Sequence, residues 1–447
     1  MDERTQTPAD RVKVLERRLD RRSILRVAAT GAAGMGVAGL LGARGAQRAS
    51  AAQAAGCSGG DVKLTYAFWN AEQRPAIESQ IEAFRKQYPN ISVEPQVVPF
   101  ADYFTKLQTG IAGGASYDVF WMNGPNFPVY ASQGALVDLQ PITGSGGVDV
   151  NAYPQSLRDL YTYEGKLFGL SRDFDTIGLY YNKDLFDAAE VAYPTGEWTW
   201  QDLRSAAEKL TRKEGDTTIQ WGYGSTLSDQ QNLFNFIPQN GGKFFNDERT
   251  QSLLNEPAAC DAILFLTDMV QAGLSPSVAE QQANNPYQTL FPAGRIAMMP
   301  GGSWHVARLH EANPAIAVAP LPRGTQQATI IHGLANVVWS GSPHQCEALE
   351  FVKFLGSQEA EQILADTATV IPSMNGLQET WVQAVPDLDL RIFLDAVNYA
   401  VPMPAVPQGA EWQGKLGEVI IGAWSGQIPR DQVCQRAADA VNATLAR

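Results

Sequence analysis

A chain of 447 residues can bury more than one core, and 45% hydrophobic with 18% charged residues is the composition of a globular protein, not of a disordered polymer. The first 56 residues hold ten of the 34 Lys/Arg and five of the 47 Asp/Glu, so the −13 of the whole chain becomes near −18 without them, 24 basic against 42 acidic residues. A surface of that sign repels phosphates instead of releasing their counterions, which excludes nucleic acid as a partner.

The N-terminus is polar and charged to Arg26 and then uncharged and Ala/Gly-rich over 27–43, too short and too weakly apolar to span a bilayer. DRRSILR at 20–26 precedes it and resembles a twin-arginine export signal, with Arg21 and Arg22 paired ahead of Ile24, Leu25 and Arg26. Residues 1–56 are therefore expected to be a signal peptide, against the plainer alternative of a basic helix and a linker. Gly34, Gly36 and Gly39 spell GxGxxG, but a leader supplies no strand before it and no helix after it, so no dinucleotide site is expected. Cys57 follows Ala54-Ala55-Gly56 and precedes Ser58-Gly59-Gly60, which resembles a lipoprotein processing site with 57–61 as tether. Ala54 replaces the usual Leu, and cleavage after Ala49-Ser50-Ala51 or Ala52-Gln53-Ala54 is the competing route. If Cys57 carries lipid, Cys260, Cys346 and Cys434 allow at most one disulfide.

Val62, Leu64, Tyr66 and Phe68 alternate as a strand; Ile77, Ile81, Phe84 and Tyr88 then recur at helical spacing until Pro89-Asn90. A second strand is predicted at 91–98, a helix carrying Tyr103, Phe104, Leu107 and Ile111 runs to Gly113-Gly114, and 118–122 forms a third strand. Strand and helix in alternation with short connections imply a parallel sheet, whose ligands sit beyond the carboxyl ends of its strands. The segments 69–73 and 121–127 fall there. A second α/β block follows, with an apolar run at 177–181, a helix over 200–210 behind Thr199 as N-cap, and helices at 260–270 and 346–355.

Six segments in this order carry a family likeness: LTYAFWN with FRKQYPNISV, YDVFWMNGPNFPVYASQGALVDL, GKLFGLSRDFDTIGLYYNKDLF, TWQDLRSAAEKLT, GRIAMMPGGSWHV with APLPRG, and HQCEALEFVKFLGS. Together they resemble the bacterial extracellular solute-binding proteins of sugar ABC transporters, the maltose-binding-protein family, over 62–447. The resemblance implies an α/β periplasmic-binding-protein-like fold of two discontinuous lobes joined by a three-segment hinge. Lobe 1 is then 62–171 with 336–370, lobe 2 is 172–335 with 371–447, and the crossovers fall near 171–175, 331–335 and 369–374. It also implies a monomer that captures a sugar by hinged closure, partners the permease subunits of an ABC transporter, and needs no cofactor.

A sugar offers hydroxyls that need donors and acceptors and C–H faces that lie on aromatic rings. Trp121 and Asn123 supply that mixture at a strand end, with Trp69 and Glu72 on the neighbouring one. Asp173 and Asp175 fall where the resembling family carries an acidic sugar ligand, and an extended backbone turns both to one side. Trp304, after Gly301-Gly302, and Trp412 match family stacking aromatics. Each has a structural alternative: Trp69 and Trp121 as core, the aspartates as solvated hinge carboxylates. Enzymatic function is not expected: HExxH, CxxC, GxSxG and the phosphate-binding loop are missing, and His305 and His310 stand five apart. A carbohydrate-active enzyme using Asp173 and Asp175 and a ligand-sensing surface protein are the alternatives, and no metal site is expected.

Overall fold

The computed structural model describes residue 57 and residues 59–227, 230–367, 369–406 and 408–446. The expected signal peptide at 1–56 lies outside these. Strand β1 (Val62–Phe68) leads into helix α1 (Arg74–Gln87), which buries Ile77, Ala83 and Phe84 and closes with Arg85 and Lys86 at its negative end. Strand β2 (Ile91–Val97) follows, then α2 (Phe100–Ala112), which buries Tyr103 and Leu107, then β3 (Val119–Asn123). Strand β1 lies between β2 and β3, parallel to both, as the alternation of strand and helix requires.

The first sheet is completed by segments from far along the chain. Strand β4 (Leu170–Asp175) enters it, and Thr176 passes the chain to β5 (Ile177–Asn182) in a second sheet. That second sheet also contains β6 (Arg212–Glu214), β7 (Thr217–Tyr223), β8 (Ile296–Gly302) and β9 (Ile316–Ala319), in the order β9-β5-β8-β7-β6. The long strand β10 (Thr329–Val338) returns to the first sheet, pairing antiparallel with β3 and β4, and β11 (Ile371–Pro372) adds to the other edge of β4. The first sheet thus holds the chain through Asp175 and takes it back by His332.

Each sheet has its own core. The first packs β1, β3 and β10 against helix Gln345–Leu355. The second has two, because alternate residues of β5 face opposite ways: Ile177, Leu179 and Tyr181 join one cluster and Tyr180 the other. Both faces of β5 are covered, which is why it reads as an apolar run with no alternation. Helix Trp200–Leu210 starts at the expected Thr199, whose hydroxyl accepts from the Asp202 amide while the Asp202 carboxylate accepts from the Thr199 amide. Residues 58–447 form one compact unit, and among the described residues no helix is long and apolar enough to cross a membrane.

Among the described residues no cysteine is free. Cys57 is disulfide-bonded, which commits the sulfur that an acyl anchor would use. Cys260 is bonded to Cys434, joining helix Pro257–Gln271 to helix Val433–Leu445 across 174 residues. Closing so long a loop restricts the unfolded chain, and the double variant C260A/C434A is expected to lose about 2–5 kcal/mol of unfolding free energy. Urea titration checks this; an unchanged midpoint would contradict it.

Candidate functional site

A cleft of about 290 Å³ opens where the two sheets meet. Its residues come from the ends of strands, where backbone leaves the ladder and side chains reach solvent. From the first sheet come Trp69 and Asn70 after β1, Phe100 after β2 and Asn123 at the end of β3; Gln73 lies just beyond Trp69. From the second sheet's side come Gln230, Gln231 and Trp304, and the crossing strands β4 and β10 contribute Asp173, Asp175, His332 and Leu334. The cleft therefore gathers Trp69, Asn123, Asp173, Asp175 and Trp304 of the residues singled out in sequence.

Asp173 and Asp175 share one side of β4, as extended backbone dictates, but they are held differently. Asp173 pairs with Arg172 and accepts from the Leu334 amide at 3.0 Å. Asp175 accepts from the Ser303 hydroxyl at 2.7 Å, and its other oxygen lies 3.3 Å from His332 Nδ1, at ion-pair range but off hydrogen-bond alignment. Ser303 follows β8 of the second sheet, so Asp175 ties the crossover to the opposite wall. Arg172 is shared: its guanidinium also lies 4.2 Å from the centre of the Trp121 ring. Burial, only partly offset by the Arg172 cation, raises the Asp173 carboxyl to about 6.

Trp304 stands in a short turn, Ser303–His305, directly after β8. A Cβ on Gly302 would come within 2.0 Å of the Trp304 ring, and one on Gly301 within 2.8 Å of Tyr180, so a side chain at either would displace a ring. These glycines thus let rings lie on backbone. Trp304 also walls a neighbouring pocket of about 230 Å³, and Glu72 belongs there, with Arg308 and Glu311.

Two expected contacts lie elsewhere. Trp121 is fully buried at the middle of β3, a strand flanked on both sides and covered on both faces. Its indole donates to the Tyr66 hydroxyl at 2.7 Å, and its ring meets Trp69 edge-on at 5.2 Å, so it backs the cleft wall without reaching the cleft. Trp412 is 1% exposed in the second core, stacked on Phe234 at 5.4 Å and edge-on to Phe245 at 5.0 Å.

Phe100, missed in sequence, is 55% exposed at the cleft mouth and contacts Trp69 at 5.4 Å. The strand-end rule applied to β2 as well as to β1 and β3 points to it, since Phe100 follows that strand by three residues. Gln230 and His332 carried no such signal; His332 reads as a hinge residue and enters the cleft because β10 crosses beneath it. Among the described residues no cluster of His, Cys, Asp and Glu could hold a metal ion.

Comparison with known proteins identifies the class. The family of bacterial extracellular solute-binding proteins matches residues 70–362, and the chain belongs to it. The fold matches an ABC substrate-binding protein from Listeria monocytogenes, solved in complex with cycloalternan, with TM-score 0.80 and 30% identity over 86% of this chain and 99% of that one. A solute-binding protein from Thermotoga lettingae, bound with alpha-D-tagatose, matches at TM-score 0.76 and 24% identity over 86% and 100%. The arabinooligosaccharide-binding protein of Bacillus subtilis is 26% identical over 68% of this chain and 72% of its own length. The protein is thus an α/β solute-binding protein of the periplasmic-binding-protein fold and a binder, not an enzyme.

Asp173 holds its proton more tightly when folded than its ordinary 3.8 implies, so its contribution to stability is full below about pH 4 and is lost as pH rises towards 6. The stability of wild type minus that of Asp173→Asn should fall across that window in urea titrations. A difference that stays flat from pH 4 to 6.5 would contradict the assignment.

Proposed function

We propose that this chain is the extracytoplasmic substrate-binding component of an ABC importer and that its solute is a mono- or oligosaccharide. One observation carries the reading: a single cleft has Trp69 and Phe100 on one wall, Trp304 on the other and the carboxylates of Asp173 and Asp175 on the crossing strand between them. Rings from two sides suit the C–H faces of a sugar, and the carboxylates suit its hydroxyls. The relatives described above, which carry cycloalternan, tagatose or arabinooligosaccharide in their names, support the same class.

Lobe 1 is proposed as 62–171 with 336–370 and lobe 2 as 172–335 with 371–447, with the chain passing between them on the strands that carry Asp175 and His332. Closure over the guest lets both walls touch one molecule, and the closed form is the one a pair of permease subunits would recognise. Export is proposed to use the twin-arginine leader. Cleavage ahead of Cys57, at 49–51 or 52–54, is compatible with the bonded state of that cysteine, so the mature protein is expected without an acyl group on it. Intact mass of protein from its native host decides this: a diacylglycerol adduct on Cys57 would reverse it.

A thermal-shift screen with maltose, maltotriose, arabinotriose, galactobiose, mannobiose and tagatose tests the solute class. At a hundred times its dissociation constant a bound sugar adds about 2.7 kcal/mol to the folded state, enough to raise Tm by several degrees. Trp304→Ala should abolish the shift while leaving the sugar-free Tm near that of wild type. Response to an amino acid or polyamine in place of every sugar would overturn the reading.

A further inference from the structure

The cleft and the neighbouring pocket of about 230 Å³ share three lining residues, Asn70, Gln73 and Trp304. They also share a backbone segment, since Val370 lines the cleft and Thr369, next to it in the chain, lines the pocket. The pocket has the same two walls as the cleft. Glu72 stands on the first-sheet side, and Ala307, Arg308 and Glu311 come from helix Val306–Ala312, which follows Trp304. Arg308 is fixed by donating to the Tyr287 carbonyl at 2.9 Å and to His305 Nδ1 at 3.0 Å, and among the described residues no carboxylate pairs with it. Its remaining N–H donors and the two carboxylates are the mixture that hydroxyls need. Small-molecule sites typically enclose roughly 300–1,000 Å³, and the cleft at about 290 Å³ and the pocket at about 230 Å³ reach that range only when joined.

Gln73 stands where the two spaces meet. It is 4% exposed and occupies the N-cap position of α1, yet its side chain makes no capping bond. Its Oε1 is sealed from solvent with no hydrogen-bond partner. No described residue bonds its Nε2 either, and that end is not sealed. A buried amide oxygen without a donor is unfavourable, and a glutamine kept only for structure would have both ends bonded. Because nothing in the protein fixes the amide, a half turn about its last side-chain bond offers a solute either the C=O or the NH2.

We infer that the solute site continues past Trp304 into this pocket, that the solute is an oligosaccharide of at least two sugar units, and that Gln73 is the specificity-determining residue at the junction. One unit lies in the cleft over Asp173 and Asp175, and the next lies beside Glu72, Arg308 and Glu311. A sugar hydroxyl both donates and accepts, so an amide that can present either end suits it at the point where the units join. The inference rests on the reading of the cleft as a sugar site and narrows it.

The test is calorimetry on matched pairs: maltose against glucose, mannobiose against mannose, galactobiose against galactose and arabinotriose against arabinose. In the pair that binds most tightly, the oligosaccharide should bind at least about tenfold better than its monosaccharide. Ala307 is exposed on its helix, so Ala307→Leu can fill the pocket without entering a core. That variant should bring the oligosaccharide to within about threefold of the monosaccharide. If its sugar-free Tm falls, Glu311→Leu takes its place. Gln73→Met keeps the packing and removes both ends of the amide, so oligosaccharide affinity should fall about fivefold, the loss of one neutral hydrogen bond, with no drop in sugar-free Tm. A monosaccharide bound as tightly as its oligosaccharide, a preference untouched by A307L, or unchanged affinity in Q73M would overturn the inference and leave the sugar site standing. Failure of wild type to bind any sugar would instead remove the reading on which it rests.

Discussion

The site depends on one constraint: β4 runs extended to its end and then leaves the first sheet. Extended backbone places Asp173 and Asp175 on one side, and the change of sheet at Thr176 places that side at the junction of two independent cores. Two buried carboxylates so close would repel, and each is answered differently. Asp173 has Arg172 and a backbone amide, while Asp175 has a hydroxyl from the far wall and an imidazole at ion-pair distance. Buried charge is tolerated only when it is paired, and here the pairing groups come from β4, from the crossing strand β10 and from the turn after β8. The polar floor therefore ties the two sheets together where it lines the cleft.

The walls follow from the same geometry. Trp121, inside a strand covered on both faces, is sealed, whereas Trp69 one residue past β1, Phe100 three past β2 and Trp304 two past β8 reach the cleft. Trp121 at the middle of β3 and Trp304 two residues past β8 are the same residue type with opposite fates for that reason. Trp121 still matters to the cleft, since its ring supports Trp69 on one edge and receives Arg172 on its face. The ring that can meet a solute and the cation that neutralises Asp173 thus share a single buried indole.

How much was legible in sequence follows the same division. The β-α-β-α-β start was readable because Val62–Phe68 alternates and Ile77 and Phe84 keep helical spacing. The family likeness brought the two-sheet plan and the location of Asp173 and Asp175. Strand β10 was not readable as a strand: every residue of Thr329–Val338 is buried, and His332 and Asn336 interrupt the apolar run that would mark it. Trp412 was singled out by the family likeness alone, and its packing on Phe234 and Phe245 is a tertiary contact that carries no signal in one dimension. The contact of His305 with Gln231 joins residues more than seventy positions apart, which no motif records.

The central claim is that one solute is gripped at once by both sheets and by the strand between them. Hydrogen exchange with and without the tightest-binding sugar measures this along the whole chain. Protection is expected to rise together at 69–73, 173–176 and 301–305, which belong to the first wall, the crossover and the second wall. Protection confined to one wall, with the other two segments exchanging as in the sugar-free protein, would contradict the account.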